Sequence, residues 1–273
     1  MNDRIEYLNH SLIQHGKHSN RVYLMKLDPR DCATIINSIE ELALQYEYTK
    51  IIAKIPSKYD SFFECSYYEK EATIPGLYDG NEDASFWCKY LNDLRKQADF
   101  EMIQSALDIA LHSNHAQKSL PSYFFRSTIP EDIPSMIALY KQVFESYPFP
   151  IFEQSFLLET MLSNVYYYGL WDHETLIALS SIELDPDHEN AEMTDFAVLP
   201  EYRGQNLALL LLRHMEEKKE ELSIKTAYTI ARSNSIGMNK TFAKSGYSFA
   251  GTLFNNTQIS GSIESMNVWY KSL

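Results

Sequence analysis

Apolar positions along this chain fall into short runs parted by turn signals, and their spacing predicts alternating strands and helices. In the C-terminal half, "YFFRST" (123–128) predicts a strand. "PEDIPSMIALYKQVFESY" follows as a helix that opens on a proline with acids in its first turn, and a second helix is expected over about 153–163. "VYYYGLWD", "ETLIALSSIELD" and "AEMTDFAVL", separated by signals such as "DPDHEN", predict an antiparallel meander. A leucine-rich helix is expected over 207–222, a strand over 225–232 and a helix over 237–245 that stops at Gly246. "YSFAGTL" and "MNVWYKSL" close the chain as strands. Nearer the N-terminus, Leu91, Leu94, Ala98, Met102 and Ala106 stand at helical spacing and predict a helix over 83–110. The polar "LHSNHAQKSLPSY" (111–123) reads as a linker between two domains, 1–115 and 120–273.

The two ends of the chain resemble each other. "IIAKIPSKYDSFFECSYYEKEATI" (51–74) can be laid on "TIARSNSIGMNKTFAKSGYSFAGTL" (229–253). Ile52-Ala53-Lys54 then falls on Ile230-Ala231-Arg232, Phe62 on Phe242 and Tyr67 on Tyr247. The tails "WCKYL" (87–91) and "WYKSL" (269–273) also agree, and "VYLMKLDPRD" (22–31) takes the place of "TDFAVLPEYRG". Residues 1–91 therefore read as a half-copy of the second domain that lacks its Arg-Gly loop; the alternative is chance similarity between two strand–helix–strand units.

Composition narrows the classes. The 273 residues are 45% hydrophobic and 22% charged, which suits a globular chain with a real core. Lys+Arg number 24 against Asp+Glu 37, a formal charge of −13. That argues against binding nucleic acid or an anionic membrane and is compatible with a cationic substrate. Three cysteines (Cys32, Cys65, Cys88) show no ligand spacing, and the 8 histidines form no metal motif, so reduced thiols and no metal are expected. No apolar signal segment opens the chain and no run approaches the ~20 residues of a membrane span, so a cytoplasmic location is expected.

The stretch "PEYRGQNLALLLL" (200–212) departs from the usual chemistry of a helix start. Helix N-termini attract carboxylates, because their unpaired N–H groups and the helix dipole favour negative charge. Here the chain supplies Arg203, and no acid follows until Glu216. Either an external anion binds there, or the segment is an ordinary basic turn before a core helix. Asn206 is among the few non-glycine residues that accept a positive φ, so a tight turn can form.

The order of elements and the run Arg203, Gly204, Gln205, Asn206, Leu207, Ala208 resemble the GNAT superfamily of acetyl-CoA-dependent N-acetyltransferases, whose signature is [Q/R]-x-x-G-x-[G/A]. The resemblance covers about 123–273 and implies an α/β fold, a mixed and mostly antiparallel sheet flanked by helices, preceded by a partial GNAT-like half-domain. It implies acetyl-CoA as co-substrate, its pyrophosphate on residues 203–208, and direct acyl transfer to an amine through a tetrahedral intermediate. "YPFPIF" (147–152), "ENAEMTDFAVLPEYRG" (189–204) and "ESMNVWYKSL" (264–273) further resemble the β-lysine acetyltransferases, which make the compatible solute Nε-acetyl-β-lysine.

The resemblance also implies site roles. An amine of pKa ~10.4 is less than about one part in a thousand neutral at pH 7, so a base is required. Glu183, Glu192 and Asp195 are the nearest carboxylates; Glu192 is expected as base or water-holder, and Asp195 as an ammonium contact or a structural group. In a regular strand these two point to opposite faces, so both can reach the site only across a bulge. The alternative is that each is an edge-strand carboxylate bonded to neighbouring loops. Backbone N–H groups at Ala197 and Val198 are expected at the oxyanion, and Asn239 beside the coenzyme arm. Phe242 fills the position where many relatives carry a tyrosine acid, so the acid is unassigned. An acetyltransferase for a polyamine or protein lysine, or a non-catalytic acetyl-CoA sensor, are the competing readings, and a homodimer is left open.

Overall fold

The structure is a computed structural model and describes residues 3–112 and 122–273; the centre of the expected linker lies outside the described residues. The chain opens with antiparallel strands β1 (Arg4–Leu8), β2 (Ser11–Gly16) and β3 (Arg21–Lys26). Helix α1 (Ile35–Gln45) leads to β4 (Lys50–Pro56), and α2 (Asp60–Cys65) to the hairpin β5 (Glu69–Tyr78) and β6 (Glu82–Tyr90). Helices α3 (Asp93–Lys96) and α4 (Phe100–Leu111) complete the first half. The second begins with β7 (Phe124–Ser127), α5 (Ile133–Val143) and α6 (Gln154–Met161), then the meander β8 (Val165–Asp172), β9 (Thr175–Asp185) and β10 (Asn190–Val198). Helix α7 (Leu207–Glu216), β11 (Thr226–Arg232), α8 (Ile236–Lys244), β12 (Ser248–Ile259) and β13 (Ser262–Ser272) follow.

These strands form one sheet of order β1-β2-β3-β4-β6-β5-β12-β13-β11-β10-β9-β8-β7. Only β3 with β4 and β10 with β11 run parallel, each joined by a crossover through α1 or α7. This mixed, mostly antiparallel sheet flanked by helices is the expected fold class. The succession β3–α1–β4–α2–β5–β6 has the same order as β10–α7–β11–α8–β12–β13. Within the sheet, β3-β4-β6-β5 mirrors β10-β11-β13-β12 about the β5/β12 junction.

Strand parity sorts the side chains of the first half. On β3, Val22 and Leu24 pack with Ile51, Ala53 and Ile55 of β4 in a small core with Ile35 and Ile39 of α1. Tyr23 and Ile52 point the other way, into the large core that continues through the second half. Arg21 and Lys54 share that second face with them.

The strand pairing that joins the two halves of the sheet is short. β5 and β12 are register partners at Ala72 and Gly251. Gly251 has φ +146, and a Cβ there would overlap the Glu71 carbonyl and Ala72 Cα. Beside it Lys50, 0% exposed, pairs with Glu71 at 3.1 Å and donates to the Phe254 carbonyl at 2.6 Å.

Two boundaries differ from the sequence reading. Residues 82–90 are strand β6, so only 93–96 and 100–111 of the expected 83–110 helix are helical. "EDASFWCKY" pairs with both β4 and β5, and that burial outweighs a helical spacing that began only at Leu91. Leu94 and Met102, counted toward the apolar stripe, are 72% and 52% exposed. Helix α7 ends at Glu216, short of 222. Beyond it Glu216/Glu220 and Glu217/Glu221 would stack like charges at i,i+4, which disfavours another helical turn.

Candidate active site

The parallel pair β10/β11 is the structural origin of the site. Its register runs only through Asn190–Thr226, Ala191–Ala227 and Glu192–Tyr228. Past Glu192 the strands part, and a cavity of about 800 Å³ opens between them. Its wall is shared. Arg21, Tyr23 and Lys54 come from the first half, and Glu183, Glu192, Asp195 and Tyr228 from the second.

A bulge in β10 brings two carboxylates to the same space. Thr194 is opposite Ser181 but Ala197 is opposite Leu179, so β10 carries one extra residue there. Asp195 takes it up at φ +56. Glu192 and Asp195, which a regular strand would separate, therefore both line the cavity. Their surroundings differ. Asp195 accepts hydrogen bonds from the Tyr147 hydroxyl at 2.5 Å and Ser181 Oγ at 2.6 Å. Burial raises its carboxyl above the usual range against the pull of those donors.

Glu192 stands opposite Glu183 across β10 and β9. Burial first, and then the Glu183 charge, push Glu192 up to about 8, while Lys54 and the Tyr228 hydroxyl pull it down. Glu183 is raised by the same burial and lowered by Lys54. Lys54 Nζ donates to the Tyr228 hydroxyl at 2.8 Å. The result is two facing carboxylates with a lysine and a tyrosine beside them. One carboxylate is set to exchange a proton near neutral pH.

At the other end of the cavity lies the 203–208 turn. Gly204 has φ +81, with nothing within 4 Å of where a Cβ would be. Asn206 is the N-cap of α7, left-handed at φ 61 and ψ 29, and its side chain makes no capping bond. The first turn of α7 holds no acid. Uncompensated amides with Arg203 beside them give this helix start the charge and shape that suit an anion. Arg203, Gly204, Asn206, Leu207 and Ala208 line the cavity together with Val198. Gln205 is turned aside, its Oε1 accepting from the Tyr123 hydroxyl at 3.0 Å, and Ala197 is buried in the core.

Asn239 does not reach the cavity surface. It is 0% exposed; its Nδ2 donates to the carbonyls of Arg232 and Ser235, and its Oδ1 accepts from Asn267 and Trp269. The coenzyme contact expected there is corrected to an interior tie between α8 and β11/β13, its polar atoms already committed. Phe242 is buried against Phe196 and Tyr247, and Tyr247 is a core residue.

Sequence reading missed Arg21, Tyr23, Lys54 and Tyr228. The signal for Lys54 was present, since it stands in the stretch that matches Ile230-Ala231-Arg232. What was not readable is that the first half turns that face of its sheet toward the second half's site.

The strand-splayed cavity thus joins a bulge, facing carboxylates and an uncapped, acid-free helix start in one space. The model of the Acetyltransferase (GNAT) family matches residues 133–247. The chain belongs to this family and is an N-acetyltransferase. It is 35% identical to Beta-lysine N(6)-acetyltransferase of Methanococcus maripaludis over 98% of each chain. It is 30% identical to N-acetyltransferase YodP of Bacillus subtilis over 96% of each chain. A Beta-lysine N(6)-acetyltransferase of Methanosarcina mazei is 31% identical, with 88% of this chain and 97% of the relative covered. The similarity thus extends through the N-terminal half, beyond the family model.

Proposed function

We propose that the protein transfers the acetyl group of acetyl-CoA to the side-chain amine of β-lysine, giving the compatible solute Nε-acetyl-β-lysine in the cytoplasm. The observation that carries the reading is the placement of Glu192, facing Glu183 beside Lys54 and Tyr228, in the same cavity as the uncapped start of α7. The turn fits the coenzyme phosphates: Gly204 leaves the approach open, and no acid repels them. Acetyl-CoA supplies an acyl group already activated as a thioester. Glu192 accepts the ammonium proton, and Lys54 and Tyr228 keep enough of the carboxylate ionised to do so. Asp195, tied to Tyr147 and Ser181, holds the bulge and adds negative charge that favours a cationic substrate. Two relatives carry β-lysine in their names, which supports this substrate over other amines.

The test is thiol release from acetyl-CoA with β-lysine, α-lysine, spermidine and a lysyl peptide, with products identified by mass. β-Lysine should give the highest kcat/KM and a product acetylated on its terminal amine. Faster turnover of spermidine or of the peptide overturns the substrate assignment.

A further inference from the structure

The cavity holds a cation that the acetyl-transfer reading leaves unused. Arg21 is 4% exposed and lines the cavity from the first half. Its Nη1 donates to the Asn256 carbonyl at 3.1 Å and its Nη2 to Gln14 Oε1 at 3.0 Å. Its Nε has no partner. No carboxylate of the described residues lies within ion-pair distance of it; Asp3 acts only as a more distant charge. The other cavity cations have carboxylate partners or another place; Arg232, whose Nε also lacks a partner, differs from Arg21 in being neutralised by a carboxylate. Arg232 pairs with Glu264 at 3.1 Å, Lys54 sits among Glu183 and Glu192, and Arg203 belongs to the phosphate turn.

Beside Arg21 stands an unused acceptor. Asn256 is 3% exposed, lines the same cavity, and its Oδ1 has no partner. A buried unpaired guanidinium donor and a buried unpaired acceptor are both costly, so a site keeps them where a ligand satisfies them. A donor carrying positive charge calls for a carboxylate, and a neutral acceptor beside it calls for an ammonium. A β-amino acid head group presents those two charges on neighbouring carbons.

We propose that Arg21 and Asn256 form the seat for the head group of an amino-acid substrate, Arg21 Nε donating to its carboxylate and Asn256 Oδ1 accepting from its second ammonium. The inference rests on the β-lysine reading and makes the first half a specificity element of the second half's site. Tyr23, whose ring lies 5.1 Å under the Arg21 guanidinium and which also borders Glu192, spans the distance between the head-group seat and the base. The seat fixes one end of the substrate while the terminal amine reaches Glu192.

The test crosses two variants with three substrates: β-lysine, the diamine left when it loses its carboxylate, and ε-aminocaproate, which lacks the second amine. In the native protein β-lysine should be preferred over each analogue by roughly 10- to 100-fold in kcat/KM, the worth of a charged hydrogen bond. Arg21→Met should collapse the preference for β-lysine over the diamine and leave its preference over ε-aminocaproate. Asn256→Leu should do the reverse. Coenzyme A affinity, by calorimetry, verifies that each variant is folded; Arg21→Lys, which keeps the charge, should restore part of the lost preference. If a variant does not fold, the native protein decides: equal turnover of β-lysine and the diamine overturns the Arg21 assignment. Active β-lysine turnover with both preferences intact in both variants overturns the seat alone. Native protein that acetylates the analogues but not β-lysine overturns the substrate reading and the seat with it.

Discussion

The Lys54 ammonium lies 2.8 Å from the Tyr228 hydroxyl, a hydrogen bond that runs from the N-terminal half to the strand beside the β10 bulge. Its charge lowers both Glu192 and Glu183 against the burial that raises them. Removing it in Lys54→Met should let both carboxylates rise further, so Glu192 would remain protonated, and useless as a base, at higher pH. The rising limb of the kcat/KM profile should move to higher pH by about one unit or more. Activity at pH 7 should fall by about ten-fold and recover near pH 9. A pH–rate series on both proteins checks this, and an unmoved limb would separate Lys54 from the base.

Glu192→Gln removes the proposed base and keeps its shape. Coenzyme binding should be retained, and kcat at pH 7 should fall by roughly 10²–10⁴-fold. The deficit should shrink as pH approaches the pKa of the amine, because solvent then deprotonates the substrate. The same variant has a stability consequence. A carboxyl raised to about 8 in the folded protein binds a proton that the unfolded chain releases near 4.5, so the native protein loses stability as pH climbs between those values. Glu192→Gln is free of that loss. It should melt above the native protein at pH 8 and level with it at pH 4, measured by thermal denaturation.

The parts of this site differ in how far they could be read from the chain. The conformation of the 203–208 turn was legible because it is local: Arg203, Gly204 and Asn206 sit within four positions, and Asn206 is left-handed before an acid-free helix start, as its residue type allows. The possibility of a bulge was legible too, from the parity of Glu192 and Asp195, though its position at Thr194–Ala197 was not. Strand β6 was misread because its burial comes from β4 and β5, pairings that no local period encodes. The similarity of "WCKYL" and "WYKSL", used only for the internal repeat, falls on two strands, β6 and β13. Arg21 and Lys54 were hidden for the same reason, since only the joined sheet turns their face toward Glu192.

The turn and the first half are tested by one titration. Gly204→Glu puts a carboxylate beside the helix start and should weaken coenzyme A binding by on the order of ten-fold or more. In the first half, the segment corresponding to the turn carries Asp28, paired with Arg30 at 2.7 Å, and Asp31, which accepts from Ser11 Oγ at 2.6 Å. Those acids occupy the place an anion would need, so we expect one coenzyme per chain. Calorimetry reads affinity and stoichiometry together: undiminished binding in folded Gly204→Glu would remove the turn from the site, and two equivalents in the native protein would give the first half a coenzyme site of its own.

Gly251 joins the two halves of the sheet without lining the cavity they share. The β5/β12 junction allows no Cβ at this position, because the Glu71 carbonyl and Ala72 backbone occupy that space, and φ +146 is open to glycine alone. Gly251→Ala must either push β5 away from β12 or distort β12, which carries Asn256 five positions on. Fold and function should then separate. The large core spans both halves, but its part around Leu211, Phe242 and Trp269 belongs to the second, so coenzyme binding at the 203–208 turn should survive. Lys54 and Arg21, held by the first half, should lose their placement across the cavity. We expect a fall in melting temperature of several degrees, coenzyme affinity within about three-fold of native, and a kcat/KM for β-lysine reduced by at least ten-fold. Equal losses of coenzyme affinity and turnover would instead mean that the two halves fold as one unit whose parts cannot be displaced separately.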